Sequence, residues 1–478
     1  MNNKRRIAKN ATILFSSQII SYILVFLYTI YIARYLGAEG YGILAFALSF
    51  SGIFSIFLDL GLSTLAVREV ARNKSLAKKY IGNILVIKIL LSFLTFGLIV
   101  LFINLLGYSL ETILVMYFVS LSVILNSIVG IQNSIFQANE KMEYLSLGQI
   151  LGSVIIFVGV LIVIYYKFDV IGVSLVFLAS SVVMLFYTFA MFILNFSIPK
   201  LEYDLQFWID SIKEALPFGL TGISGMVYTY IDSVMLSLFQ GNEVVGWYNA
   251  AYRLVLFLLF IPGTINMAVF PSMSQLYISS PRKLKLINEK YFKFMIIIAI
   301  PIGTAFTILA DKLIFLIFGN GYEPSIIALQ ILIWTIVFTF LGAGFVRLLE
   351  ATNKQMILTK ISGISLIVNI ILIIILIPRF SLIGASIATV LTEIVLIGGV
   401  YWISYKYGYG IPLKQIFDNL IKIVIASLIM GILIYYLKNL NLLFLSFVSI
   451  LTYILILFAL KGIDNEDMRI IKELLKIN

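Results

Sequence analysis

Five ionisable side chains stand inside stretches that are otherwise apolar: Asp59, Lys88, Asp232, Arg253 and Glu393. A charge among apolar residues is expensive to keep, so each marks a candidate for handling an ion or a charged substrate. Asp59 and Lys88 lie at matched depths on consecutive segments, each seven residues in, roughly 10 Å at 1.5 Å per residue. Asp232 and Arg253 flank a turn near Gly241, about nine and twelve residues from it. That spacing suits two buried ion pairs bracing two hairpins, and it equally suits charges lining a polar cavity. Glu393 has no base at its depth on the adjoining segments, where Asn369 is the nearest polar match. Neutralisation by a bound proton or Na⁺ is the cheapest way to keep a carboxylate there, which makes Glu393 a candidate coupling site.

Weaker polar signals lie at Gln18, Asn126, Gln132, Asn133, Gln137 and Asn266. Gln132, Asn133 and Gln137 have the donors and acceptors to meet sugar hydroxyls, although hydrogen bonding between helices is the commoner use of such groups in a bilayer. Pro262 and Pro301 each free a backbone carbonyl inside a helix, which suits a hinge or a static kink. The chain has no cysteine and no histidine. That removes thiolate nucleophiles, His-based triads and Cys/His zinc sites. No glycine loop with a lysine is present to cradle a nucleoside triphosphate. No cofactor and no metal are expected, and the chain is not read as an enzyme.

These residues are held by an unusual chain. Of 478 residues, 61% are hydrophobic and 12% charged, about half the charged share of a soluble domain. So few charges cannot cover a water-exposed surface, which argues against soluble enzymes and nucleic-acid binders. About 20 apolar residues cross a bilayer, and fourteen such segments are expected: 11–36, 40–66, 81–106, 112–136, 145–166, 170–195, 214–239, 244–272, 291–318, 324–347, 356–377, 382–405, 416–437 and 442–461. The first runs on too far for a cleavable signal and reads as a span. With the N-terminus inside, only Arg34, Lys167, Lys312, Arg379 and Lys438 fall outside, and Lys88 and Arg253 lie within spans. The other 27 of the 34 basic residues fall on the cytoplasmic side. The net charge of +11 thus records topology and attraction to anionic lipid, not a nucleic-acid partner. Stretches 68–79, 197–214 and 464–478 are expected to lie along the cytoplasmic surface.

The chain also repeats itself. Gly37-Ala-Glu39-Gly-Tyr-Gly42 with Ala47 aligns without a gap on Gly241-Asn-Glu243-Val-Val-Gly246 with Ala251. Ala138-Asn-Glu-Lys141 echoes Ala351-Thr-Asn-Lys354, and Lys167-Phe168 through Ser174 echoes Arg379-Phe380 through Ser386. Three matches in order, at loop residues, define a unit of six spans. Six is even, so both copies start on the same side, as in the parallel-repeat transporters. The expected fold is an all-α membrane protein of two six-helix lobes, 1–196 and 214–405. A linker at 197–213 joins them, two further helices occupy 406–461, and an amphipathic tail fills 462–478.

The block Ala33-Arg34-Tyr-Leu-Gly37 through Gly42, with Leu58-Asp59-Leu-Gly61 leading to Arg68-Glu69, resembles the N-terminal motif of polysaccharide-type flippases. These belong to the multidrug/oligosaccharidyl-lipid/polysaccharide exporter superfamily. Asp232 through Arg253, and Ile377-Pro378 through Thr389, resemble later regions of the same proteins. The resemblance spans nearly the whole chain. It implies translocation of a lipid-linked oligosaccharide of the polyprenyl-phosphate type across the cell membrane by alternating access, with glycosyltransferases and a polymerase as functional partners. A cationic residue would meet the headgroup phosphate, Arg253 first, then Lys88 and Arg34, because guanidinium forks bind phosphate oxygens in pairs. The alternatives are a cation-coupled multidrug exporter of the same superfamily and, more remotely, a membrane-embedded glycan transferase or ligase.

Overall fold

Every apolar segment folds as a helix, because only a helix pairs its own backbone donors and acceptors where lipid offers none. The computed structural model describes residues 3–196 and 201–463, and no strand occurs among them. In chain order the helices are α1 (Asn3–Phe54), α2 (Ile56–Asp59), α3 (Leu62–Arg72), α4 (Ala77–Leu105), α5 (Leu110–Ala138), α6 (Met142–Tyr166), α7 (Val170–Phe196) and α8 (Leu205–Gln240). They continue as α9 (Asn242–Leu258), α10 (Phe260–Ser279), α11 (Pro281–Ile317), α12 (Ser325–Ala351), α13 (Gln355–Lys406), α14 (Leu413–Tyr436) and α15 (Leu442–Ala459). Twelve helical stretches are long and apolar enough to cross a membrane. Two of these, 48 and 52 residues long, are each more than twice the length one crossing needs. Each contains a non-helical residue, Gly37 (φ 71°, ψ −177°) in α1 and Ser381 (φ 53°, ψ −134°) in α13.

Several boundaries differ from expectation for visible reasons. The second expected span, 40–66, is interrupted at Ser55 and again at Leu60 and Gly61, whose φ values of 47° and 86° are left-handed. The eighth, 244–272, is interrupted at Leu259, three residues before Pro262. The expected linker does not end before the next span. Asp204 caps α8 by accepting from the Phe207 N–H at 3.0 Å, and the helix then runs unbroken for 36 residues through Pro217. The tail 464–478 and residues 197–200 lie outside the described residues.

The chain divides into two compact units, Met1–Asn249 and Ala250–Asn478. In the first, α5 packs on α4 and α7, α1 packs on α6 and α8, and α3 fits between α5 and α8. A core of Leu62, Leu65, Val70, Ile81, Ile84, Ile131, Ile135 and Phe136 lies where α3, α4 and α5 meet. In the second, α12 is central, flanked by α10, α11 and α13, and α11 carries α14, which carries α15.

The repeated turn at 138–141 and 351–354 has one geometry in both copies. Glu140 and Asn353 have φ values of 58° and 59°. The Lys141 N–H reaches Phe136 O at 2.9 Å, and the Lys354 N–H reaches Leu349 O at 2.8 Å. These bonds close a helix on a left-handed residue and satisfy its orphan carbonyls. Each lysine then lies over aromatic rings, Lys141 near Phe196 at 5.1 Å and Lys354 near Tyr407 at 3.6 Å. Desolvation lowers the pKa of the Lys354 ammonium. The third repeated segment is not superposable in this way, since positive φ falls on Lys167 in one copy and on Ser381 in the other.

Candidate functional site

In the first unit, the break in the chain after α2 builds a polar cluster around Lys88. Its ammonium is 1% exposed and lies 2.6 Å from Asp59 Oδ1. It also donates to Ser63 Oγ at 3.1 Å, Ser127 O at 2.9 Å and Ser127 Oγ at 3.1 Å. Three N–H groups meet four acceptors, so the cation is saturated within the protein. Ser63 Oγ donates in turn to Asp59, and Ser127 Oγ donates to Leu58 O at 3.3 Å. The left-handed Leu60 and Gly61 turn the chain so that Asp59 and Ser63 converge on one lysine. Asp59 stays one-third exposed, so of this pair the carboxylate, not the ammonium, reaches the surface.

Asp232 on α8 is buried and accepts a hydrogen bond from Tyr248 Oη at 2.7 Å. One residue on, Ser233 Oγ accepts from Asn249 Nδ2 at 3.0 Å. Asp232 belongs to the first unit and Arg253 to the second. Gln132 is buried and accepts from Thr188 Oγ1 of α7, so its carbonyl is engaged between helices. Asn133 is half-buried, Gln137 and Arg34 are exposed, and Asn126 donates to Ser181 Oγ at 2.9 Å.

In the second unit, Arg253 is half-buried on α9. Glu393 is buried on α13 and accepts from Thr339 Oγ1 of α12 at 2.8 Å. Beside it on the chain, Thr392 Oγ1 accepts from Asn369 Nδ2 at 3.1 Å. The Asn369 carbonyl oxygen and Thr335 Oγ1, both buried, have no hydrogen-bond partner among the described residues. A separate groove of about 410 Å³ lies between α11, α14 and α15, lined by Ile297, Pro301, Phe306, Met430, Ile450 and Tyr453 among others. The Tyr453 hydroxyl donates to Ile297 O at 2.8 Å, and the hydroxyls of Ser446 and Ser449, which also line the groove, donate to Leu442 O and Leu445 O of their own helix, so the lining is mostly apolar.

Two groups escaped the sequence reading. Asn83 is fully buried and makes four hydrogen bonds: from the Asp204 N–H at 3.2 Å, from Trp208 Nε1 at 2.9 Å, to Lys79 O at 3.0 Å and to Glu202 Oε2 at 3.1 Å. It fastens the segment ahead of α8 to α4. Only its place among Lys78, Lys79 and a run of apolar residues marks it in sequence, and that looks like an ordinary span end. Asn288 on α11 is fully buried with neither amide atom partnered among the described residues, and nothing in its spacing announces this.

Residues 7–277 match the family described as polysaccharide biosynthesis protein, which is more than half of the chain. The chain belongs to that family. Residues 217–375 also match the MatE family, across about a third of the chain. The capsular polysaccharide biosynthesis protein CapF of Staphylococcus aureus is 28% identical over 86% of this chain and 100% of its own. A putative O-antigen transporter of Shigella dysenteriae is 26% identical over 81% of this chain and 98% of its own. Among solved structures, the lipid II flippase MurJ in an inward closed conformation covers 95% of this chain and 99% of its own, with a TM-score of 0.79 at 19% identity. A multidrug resistance MATE transporter in an inward-facing conformation aligns with a TM-score of 0.65 at 17% identity, over 81% of this chain and 94% of its own. Both share the fold of this chain.

Proposed function

We propose that the protein carries a polyprenyl-phosphate-linked oligosaccharide from the cytoplasmic to the outer leaflet of the cell membrane by alternating access. The reading rests above all on the full-length relation to CapF, with the apolar groove on α11, α14 and α15 as the feature suited to a lipid tail. A phosphate and several sugar hydroxyls crossing hydrocarbon unaided would cost several kcal/mol per unsatisfied group. A hydrated path for the headgroup, with the tail left in an apolar groove, removes most of that cost.

In this reading the two overlong helices each cross twice, turning at Gly37 and Ser381, so twelve helices make fourteen spans. Both termini are cytoplasmic. The lobes are 1–196 and 214–405, and α14 and α15 supply the tail groove. Arg253 meets the headgroup phosphate, with Arg34 second. Lys88, saturated by Asp59, Ser63 and Ser127, braces the first unit instead. Glu393, hydrogen-bonded by Thr339, takes the coupling proton or Na⁺. Gln132, Asn133 and Gln137 rank low as sugar contacts, because Gln132 is engaged with Thr188.

The test is turnover of a labelled lipid-linked oligosaccharide in proteoliposomes. Wild type is expected to expose the headgroup on the far leaflet, Arg253→Ala to lose this, and Asp232→Asn to retain part. Recovery of turnover in the Asp232→Asn/Arg253→Ala double variant would remove the phosphate role and leave a simple brace. The match of 217–375 to the MatE family favours a second reading, a cation-coupled exporter of small molecules. Gradient-driven efflux of a cationic dye with no headgroup turnover would select it.

A further inference from the structure

The groove between α11, α14 and α15 is built around a missing backbone donor. Pro301 on α11 has no N–H to give the carbonyl four residues earlier, Ile297 O. In hydrocarbon a carbonyl opened in this way needs a donor from a neighbouring helix. The donor is the Tyr453 hydroxyl of α15, at 2.8 Å. Pro301, Ile297 and Tyr453 all line the groove, and Tyr453 is buried. The two helices of the hairpin are held differently. α14 lies directly on α11, so that a Cβ at Gly431 would stand 2.9 Å from Thr304 Cγ2 and 3.0 Å from Ile308 Cδ1. The turn after α14 is fastened by Lys438 to Asp311 at 2.7 Å, and by Lys312 Nζ donating to Lys438 O and Leu440 O. α15 packs on α14 and reaches across the groove to α11 through Tyr453.

We infer, on the reading that the groove takes the lipid tail, that Tyr453 is a positioning residue: its hydroxyl, seated on the carbonyl that Pro301 leaves open, holds α15 at the spacing from α11 that fits a polyprenyl chain. Were α15 to drift from α11, a phenol hydroxyl and a main-chain carbonyl would both face hydrocarbon without a partner, so the pair favours one spacing. Proline and tyrosine act as one device, the first opening the carbonyl and the second closing it. The other hydroxyls of the lining, on Ser446 and Ser449, are engaged with Leu442 O and Leu445 O of α15. With every hydroxyl of the lining bonded to backbone, no polar side chain is offered to a ligand, and a hydrocarbon chain is the chemistry that fits.

Two substitutions in the full chain test this. Tyr453→Phe keeps the ring and removes only the hydroxyl, and Pro301→Ala returns an in-helix donor to Ile297 O. The first readout is the distance between spin labels on Leu286→Cys of α11 and Leu455→Cys of α15, both exposed, in a chain with no cysteine of its own. Tyr453→Phe should lengthen or broaden that distance, Pro301→Ala should do likewise, and the two together should do no more than either, because both act on one carbonyl. Unchanged distances, or effects that add, would overturn the fastening. Should Pro301→Ala not fold, Tyr453→Phe alone decides. The second readout is binding of a long-chain polyprenyl phosphate, geranyl phosphate and phosphatidylglycerol. Tyr453→Phe should weaken the long-chain phosphate several-fold and leave the other two unchanged, a discrimination that a general loss of stability would not produce. Equal weakening of geranyl phosphate would put the effect at the headgroup, and equal weakening of phosphatidylglycerol would make the groove a general lipid contact; either result removes the positioning role. A wild-type protein that binds no polyprenyl phosphate would sink the tail reading itself, whereas the label distances, which involve no substrate, would still decide the fastening.

Discussion

Removing the Lys88 ammonium while keeping Asp59 strands a carboxylate beside apolar helices. Breaking a fully buried pair typically costs about 3–5 kcal/mol. Asp59 is one-third exposed, so Lys88→Met is expected to lose about 2–3 kcal/mol once solvent screening is allowed for. The Asp59→Asn/Lys88→Met double variant should regain most of it, read by denaturant unfolding in mild detergent. A double variant no more stable than Lys88→Met would mean that packing, not charge, sets the loss. Glu393 calls for a different readout. Glu393→Gln keeps a polar group of the same size for Thr339, so the protein should fold and still bind lipid-linked substrate. Turnover that no longer follows an imposed pH or Na⁺ gradient is the expected result, and turnover that follows it as in wild type would move coupling elsewhere. The depths of Asp59, Lys88 and Glu393 were legible because ionisable residues stand out against apolar runs. Their partners were not, because Ser63, Ser127 and Thr339 are common in membrane helices and only the fold selects them.

At the scale of elements, the segment ahead of α8 is held by one asparagine. Asn83→Ala removes four hydrogen bonds and leaves Trp208 Nε1 without its acceptor. A local loss of about 1–3 kcal/mol is expected, visible as faster hydrogen exchange at Asp204 and Trp208 with little change in α4. The same segment should loosen in acid. The Phe207 N–H, then Lys79, hold the Asp204 carboxyl below its ordinary range. A depressed folded-state pKa gives stability above the unfolded value that is lost as pH falls through the folded one. Exchange at Phe207 is therefore expected to rise only below about pH 4, the ordinary Asp range, and Asp204→Asn should remove that dependence. Helical segments were readable from apolar length alone. The breaks at Leu60–Gly61 and Leu259 were not, since residues 40–66 and 244–272 are apolar enough to continue. Gly61 is a local signal for a left-handed turn, but the close approach of the α8 backbone to it is a tertiary fact that the sequence around it does not announce.

At the scale of the whole molecule, the proposed topology of fourteen spans with both ends inside would place the turn at Gly241 outside and the turn after α3 inside. A single cysteine replacing Asn242 should react with an external impermeant reagent and one replacing Lys74 should not; the opposite pattern would invert the topology. The Lys88 cluster also bears on how the chain enters the membrane during synthesis. Asp59 and Ser63 precede Lys88, but Ser127, which supplies two of its four acceptors, follows 39 residues later. A lysine at the centre of an isolated helix opposes insertion by about 2.5–3.5 kcal/mol, and until α5 emerges that opposition is only partly relieved. The insertion machinery should therefore retain α4 until α5 arrives and release the two as a pair. Nascent chains arrested before Ser127 would stay cross-linkable to the lateral gate, whereas chains arrested well beyond it, or carrying Lys88→Met, would already have left.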